Sequence, residues 1–182
     1  MDYNTLLATV NKLKDVKRTG WTRYPQIESV ESVADHCFMV AFLALTIPLP
    51  ENVNRERLIK MAIVHDTTES LVGDIVFEQG QSKDLAIFAD KKEKENAAIR
   101  TLFAEHPQHI ASYDEYEALE KAEAKFLKEL DKLEMAHQAL QYELTYGADL
   151  QQFFDNVDAY VKTPQVRAVL TQILEKRNIS SR

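Results

Sequence analysis

Apolar residues recur at helical spacing along nearly the whole chain, and runs of β-branched residues are short, so the pattern predicts an all-α protein. Leu6, Leu7, Val10 and Leu13 form one face of a first helix that ends before the basic stretch from Lys14 to Arg18. Gly20 and Pro25 then hold the chain in a loop up to about Ser29. A second helix starts near Ser29 or Ser32, buries Val33, Val40, Leu43 and Leu45 around a column containing His36, and is stopped by Pro48 and Pro50. Asn54 caps a third, whose Leu58, Met61 and Ala62 lead into His65. Gly73 interrupts the pattern, and Gln79-Gly80-Gln81-Ser82 marks a loop.

From about Asp84 to Glu105 the sequence reads as a charged helix with a thin stripe of Ile87, Ala97, Ile99 and Leu102. Its Lys91, Lys92 and Lys94 interleave with Glu93 and Glu95, which reads as a solvated face and not as an anion site. No Pro or Gly interrupts Tyr113 to Tyr146, where Phe126, Leu127, Leu130, Leu133, Ala136 and Leu140 keep helical spacing. This stretch is the longest predicted helix, with a break near Glu120, and Gly147 ends it. A shorter helix carries Phe153, Phe154 and Val157; Thr163-Pro164 starts the last one, with Val166, Val169, Leu170 and Ile173 inward. No repeat, low-complexity tract or linker divides the chain, and about six to eight helices are expected in a single domain, 1–182.

Length agrees, since 182 residues, 45% of them hydrophobic, suit one domain with a full core. The net charge of -7 argues against nucleic acid or an anionic membrane as partner, because phosphate backbones need a field of the opposite sign. Any phosphate must therefore be met by a local cation. Cys37 is the one cysteine, which excludes an internal disulfide and a zinc ribbon. No apolar run approaches the ~20 residues that span a bilayer, and no signal sequence is evident. A cytoplasmic location is the expectation.

The densest chemistry lies in Ile63 to Ile75, where the adjacent pair His65-Asp66 is followed by Glu69 and Asp74. His36 upstream and Asp131 downstream sit on helical patterns that also carry a buried face. On such a face His36 reads equally as a core histidine with a satisfied hydrogen bond. Asp131, among Phe126, Leu127, Leu130 and Leu133, is costly to bury unless it binds a metal or pairs with Lys128 or Lys132. Two imidazoles and two carboxylates suit a borderline divalent ion such as Mn²⁺, Fe²⁺, Co²⁺, Ni²⁺ or Zn²⁺.

The order of His36, His65-Asp66 and Asp131 resembles the metal-binding signature of the HD-domain superfamily. Four blocks narrow the resemblance: Arg18-Thr19-Gly20-Trp21, Glu31 to His36, His65 to Ile75 and Ala122 to Met135 look like those of the HD-domain 5′-deoxynucleotidases. It covers roughly residues 13–146, with the helices of 149–177 expected to pack on that core. The resemblance implies a helical HD fold around one metal site, a homodimer, and hydrolysis of deoxyribonucleoside 5′-monophosphates, a small-molecule nucleotide substrate. It implies one divalent metal, Co²⁺ or Mn²⁺ before Fe²⁺, Ni²⁺, Zn²⁺ or Mg²⁺, held by His36, His65, Asp66 and Asp131. Glu69 then orients and deprotonates the attacking water or passes a proton toward the leaving 5′-oxygen. Asp74 is the second acid, assisting the site or binding the sugar 3′-hydroxyl. Arg18 is the phosphate-binding cation, and Trp21 walls the sugar pocket, with ordinary packing as its alternative. Some bacterial members carry Arg and Trp adjacent, whereas Thr19 and Gly20 intervene here; Thr67-Thr68 replaces the more usual small or apolar pair after His-Asp.

Two rival readings differ in what they require. A two-metal HD protein, which cleaves cyclic dinucleotides or oxidises its substrate, needs further histidines between His65 and Asp131, and only His106 and His109 exist, flanking Pro107 in what reads as a surface loop; hydrolysis of other nucleotides, tri- or cyclic phosphates, is the wider alternative. A non-catalytic nucleotide-binding protein with a structural metal needs none of Glu69, Asp74 and Arg18.

Overall fold

The computed structural model describes residues 1–74 and 85–180, excluding the side chains of 85–88 and 180. The expected loop at Gln79 to Ser82 and the side chain of Ile87 lie outside that description. In chain order the helices are α1 (Tyr3–Asn11), α2 (Thr19–Thr22), α3 (Val33–Thr46), α4 (Arg55–Val64), α5 (Glu69–Val72), α6 (Leu85–Leu102), α7 (Pro107–Ala118), α8 (Ala122–Tyr146), α9 (Gln151–Tyr160) and α10 (Pro164–Ser180). A 3₁₀ turn, Lys12–Lys14, extends α1. No strand occurs among the described residues, only one antiparallel bridge between Lys17 and Ser32. The fold is all-α, with eight helices of nine residues or more among the described residues and the single turns α2 and α5 besides.

Helix boundaries follow local chemistry. Ser32 opens α3 with a capping box: its Oγ accepts from the Asp35 amide (3.2 Å) while Asp35 Oδ2 accepts from the Ser32 amide (2.9 Å). Arg55 closes the other end of α3, its guanidinium donating to the carbonyls of Ala44 (2.8 Å), Leu45 and Ile47 (3.1 Å). Asn54 Oδ1 accepts from the Arg57 amide at 3.0 Å and starts α4. The break expected near Glu120 falls at Leu119, whose left-handed φ of 51° separates α7 from α8. Gly147, at φ 65°, ends α8 where a residue with a β-carbon would be strained.

α8 is the central element: α3, α4, α7, α9 and α10 all pack against it, and α3 pairs with α4. One buried cluster runs from Trp21 through Val40, Leu58, Leu130 and Leu140 to Phe154 and Leu170. A smaller one of Val64, Ile99 and Tyr113 joins α4, α6 and α7. No helix among the described residues is long and apolar enough to cross a membrane.

Several expected positions differ. Leu45 is 54% exposed, because the buried row of α3 runs Val33, His36, Val40, Ala44 and Leu45 falls one residue past it. Leu7 is 64% exposed, and Ala97 also faces outward; Thr9 and Leu13 are the inward residues of the first segment. Pro107 does not sit in a loop: it is the first residue of α7, so His106 flanks a helix and His109 lies within its first turn.

Candidate metal centre and substrate cavity

Three helices deliver the donors. α3 presents His36, fully buried. His65 follows directly on α4, where the chain tightens into turns that place Asp66 and then Glu69 on one side. α8 supplies Asp131. The donor atoms of His36, His65 and Asp131 lie within 4.8 Å of one another. Asp66 Oδ2 completes the group, 3.6 Å from His36 Nε2 and 3.4 Å from His65 Nε2, while Asp131 Oδ1 is 3.4 Å from His36 Nε2.

The imidazoles are oriented by what their other nitrogens bind. His65 Nδ1 donates to the Ala62 carbonyl at 2.8 Å, and His36 Nδ1 donates to Glu134 Oε2 at 2.7 Å. Since a carbonyl and a carboxylate accept, each Nδ1 carries the hydrogen and each Nε2 is the atom left to take a proton or a metal. Both Nε2 atoms are buried without a hydrogen bond among the described residues. Donors held about 2.0–2.2 Å from a common ion stand roughly 3–4.4 Å apart, which the observed spacings match. The cluster fits a divalent metal site, and the fit rests on these orphaned nitrogens facing two carboxylates.

Burial and Arg18 push His36 down, but Asp131, 3.4 Å from Nε2, and the hydrogen bond to Glu134 outweigh them and raise it to about 10, so that without metal Nε2 holds a proton which an ion would displace. Burial drives His65 the other way, below the usual histidine range. Asp131 is held well below the usual carboxylate range despite burial, chiefly by Lys128, whose Nζ lies 2.8 Å from Oδ2. His65, Arg18 and His36 lower Asp66 against its own desolvation. The ligand atoms of Cys37, His65 and Asp66 also lie within 4.8 Å of one another, yet burial first, then Asp66 and Glu69, push the thiol well up and keep it protonated.

Above the donors opens a cavity of about 590 Å³, within the range of small-molecule sites. Its lining includes Arg18, Asp66, Glu69, Asp74, Lys128 and Lys132. Glu69 is 6% exposed, its Oε2 has no partner among the described residues, and burial, followed by Asp66 and Asp74, raises it to about 10. Arg18 Nη1 stands 3.3 Å from Asp66 Oδ2 and 3.9 Å from Asp74 Oδ2. Asp74 Oδ2 also accepts from the Thr19 amide at 2.7 Å, so this acid holds the turn that carries Arg18. Lys91 and Lys92 line the same cavity, so the face of α6 that reads as solvated turns two of its lysines toward the site.

Trp21 belongs elsewhere. It is 2% exposed, packs on Phe153 (centroids 4.3 Å) and edge-on to Tyr142 (5.3 Å), and donates from Nε1 to Glu31 Oε1 at 2.7 Å. It is absent from the cavity lining, so the structure places it in ordinary packing and not at a sugar wall. The rings of His106 and His109 lie 5.9 Å apart, tilted at 45°, and join no cluster of metal-type donors among the described residues. Sequence reasoning named Lys128 and Lys132 only as possible ion-pair partners of Asp131, which Lys128 is, and it missed Glu134 and Tyr116. Lys128 and Glu134 flank Asp131 at i−3 and i+3, the one-face spacing of a helix, and that signal was available.

A buried His/His/Asp/Asp centre in an all-α bundle defines a class, and the comparisons give the same one. The HD domain model matches residues 10–169, and the chain belongs to that family. It is 38% identical to 5′-deoxynucleotidase HDDC2 of Xenopus laevis over 94% of this chain and 86% of that protein. It is 34% identical to 5′-deoxynucleotidase hdd1 of Schizosaccharomyces pombe, over 94% of this chain and 88% of that one. Among solved structures, the PH0347 protein from Pyrococcus horikoshii OT3 is 30% identical and superposes with a TM-score of 0.71 over 97% of both chains.

Proposed function

We propose that this protein is a metal-dependent phosphomonoesterase that hydrolyses deoxyribonucleoside 5′-monophosphates to deoxynucleoside and phosphate. The observation that carries the reading is the convergence of His65, Asp66 and Asp131 on the wall of a cavity that also holds Glu69 and Arg18, with His36 buried against them, in a chain 38% identical to 5′-deoxynucleotidase HDDC2 of Xenopus laevis. His36, His65, Asp66 and Asp131 would hold one divalent ion, Co²⁺ or Mn²⁺ by family resemblance. Such an ion supplies positive charge that acidifies water and neutralises phosphoryl oxygens.

The chain's own residues do the rest. Glu69 Oε2 takes a proton from the attacking water and returns it to the leaving 5′-oxygen, a role suited to a carboxylate oxygen that has no hydrogen-bond partner among the described residues and belongs to a residue lining the cavity. Arg18 keeps its charge beside Asp66 and Asp74 and faces the phosphoryl oxygens. Asp74 fixes the turn of Arg18 and Thr19, and its second oxygen is assigned to the sugar 3′-hydroxyl. A cytoplasmic homodimer is the assembly and location the reading adopts.

The test is a phosphate-release screen of ribo- and deoxyribonucleotides at each phosphorylation level, on chelator-stripped protein resupplied with single metals. Release from deoxyribonucleoside 5′-monophosphates with Co²⁺ or Mn²⁺, and none in EDTA, is expected. Full activity in thoroughly demetallated protein, or no release from any monophosphate, overturns it.

A further inference from the structure

The cations lining the cavity are not equivalent. Arg18 is engaged by Asp66 and Asp74, Lys128 by Asp131 and the Tyr116 hydroxyl, and Lys91 by Glu95 at 3.5 Å. Lys92 is exposed at the rim. Lys132 differs from all four: it is half-buried and lines the cavity, yet no hydrogen bond or ion pair to it occurs among the described residues. It stands one turn past Lys128 on α8, next to Asp131, and the attraction of Asp131 and Asp66 is set against the repulsion of Lys128 and Arg18.

An ammonium drawn out of water with no acceptor at hydrogen-bond distance is unfavourable, and a lysine stem is long enough to carry it back to bulk solvent. Lys132 instead shares a wall with the proposed metal ligands, so its missing partner is an anion that enters the cavity. Arg18 alone is poorly matched to a doubly charged phosphate, because its Nη1 already faces Asp66 at 3.3 Å and Asp74 at 3.9 Å. We propose that Lys132 is the principal phosphate seat of this site, its Nζ donating to a non-bridging oxygen of a phosphomonoester dianion or of inorganic phosphate, with Arg18 as the second cation. The inference deepens the phosphomonoesterase reading and rests on it for the substrate class. A point charge on a flexible stem tolerates the movement of phosphate oxygens between ester and free product, which a locked fork does not.

The test uses the metal-loaded protein with Lys132→Gln, Lys132→Arg and, at the rim, Lys92→Gln. Inorganic phosphate is titrated calorimetrically, a deoxynucleoside serves as the phosphate-free probe, and bound metal is measured for every variant. Lys132→Gln is expected to weaken phosphate binding and raise KM for a deoxynucleoside monophosphate by roughly 10- to 100-fold, the span of one charge-assisted hydrogen bond. Deoxynucleoside affinity and metal content should stay at wild-type values, Lys132→Arg should recover most of the loss, and Lys92→Gln should change phosphate affinity less than about threefold.

Phosphate affinity within about twofold of wild type in Lys132→Gln overturns the proposal. So does a parallel loss of deoxynucleoside or metal, which marks a structural role, or no phosphate binding by the wild type. Direct phosphate binding needs no turnover. A wild type that binds phosphate through Lys132 but hydrolyses no nucleotide therefore overturns the functional reading and leaves the seat standing.

Discussion

Glu69 and Asp66 lie three residues apart, line one cavity and are pushed in opposite directions, Glu69 up to about 10 and Asp66 down. If Glu69 moves a proton without holding metal, Glu69→Ala lowers kcat by roughly 10²–10⁴ while metal content and nucleotide affinity stay near wild type. Asp66→Ala should lose metal instead, and high metal concentration should partly restore its activity. Near-normal kcat in Glu69→Ala would move the proton-transfer role to Asp74. Behind the site, burial and then Glu134 raise Glu31 to about 7. A raised carboxyl stabilises the fold below its unfolded value near 4.5 and loses that contribution as pH climbs through 7. Glu31→Gln, which can still accept from Trp21, should therefore be more stable than wild type at pH 8, by an amount on the order of 2 kcal/mol, and no more stable at pH 4. Urea unfolding at both pH values decides it. Glu31 shows why single residues were only partly legible: its partners are Trp21 on α2 and, about a hundred residues on, Glu134 and Tyr142 on α8, and nothing in local spacing announces them. His36, His65, Asp66 and Asp131 were readable because their order resembles a known signature.

At the scale of elements, the starts of helices were the most legible feature, since capping is local chemistry: Ser32, Asn54 and Thr163-Pro164 each mark an observed start. Orientation was harder. Leu45 looks like a core position until the buried row of α3 is fixed by what packs on it, and α2 and α5 are single turns with too few residues to show a period. The capping box of Ser32 matters beyond α3, because the same segment pairs with Lys17 and receives the Arg18 amide at the Glu31 carbonyl (3.1 Å). Ser32→Ala removes both hydrogen bonds of the hydroxyl, the one it accepts from the Asp35 amide and the one it donates to Asp35 Oδ2, and should cost about 1 kcal/mol. For a chain of this size that is a Tm lower by roughly 2–4 °C. Arg18 stays anchored through the backbone, so metal content should not change; a variant as stable as wild type would show that Asp35 holds the helix start alone.

Across the whole molecule, the cluster sets a trade between protons and metal. His36, raised to about 10, contributes stability that is complete below its unfolded value near 6.5 and is lost as pH rises toward 10. Glu69 acts with the same sign from about 4.5 to 10. Demetallated protein should thus become less stable between pH 6.5 and 9, because the folded state binds protons that the unfolded chain releases. A divalent ion satisfies the same lone pairs with charge that pH does not remove, and its binding displaces those protons, so its affinity grows as pH rises. Metal at about 1,000 times its Kd adds about 4 kcal/mol, which for this chain length is roughly 10 °C in Tm. The difference in Tm between metal-saturated and demetallated protein should therefore be larger at pH 9 than at pH 6, measured by calorimetry with and without Co²⁺ or Mn²⁺. A difference that shrinks with pH would mean that the ion does not occupy the place of the His36 proton, and the ligand set would have to be drawn without His36.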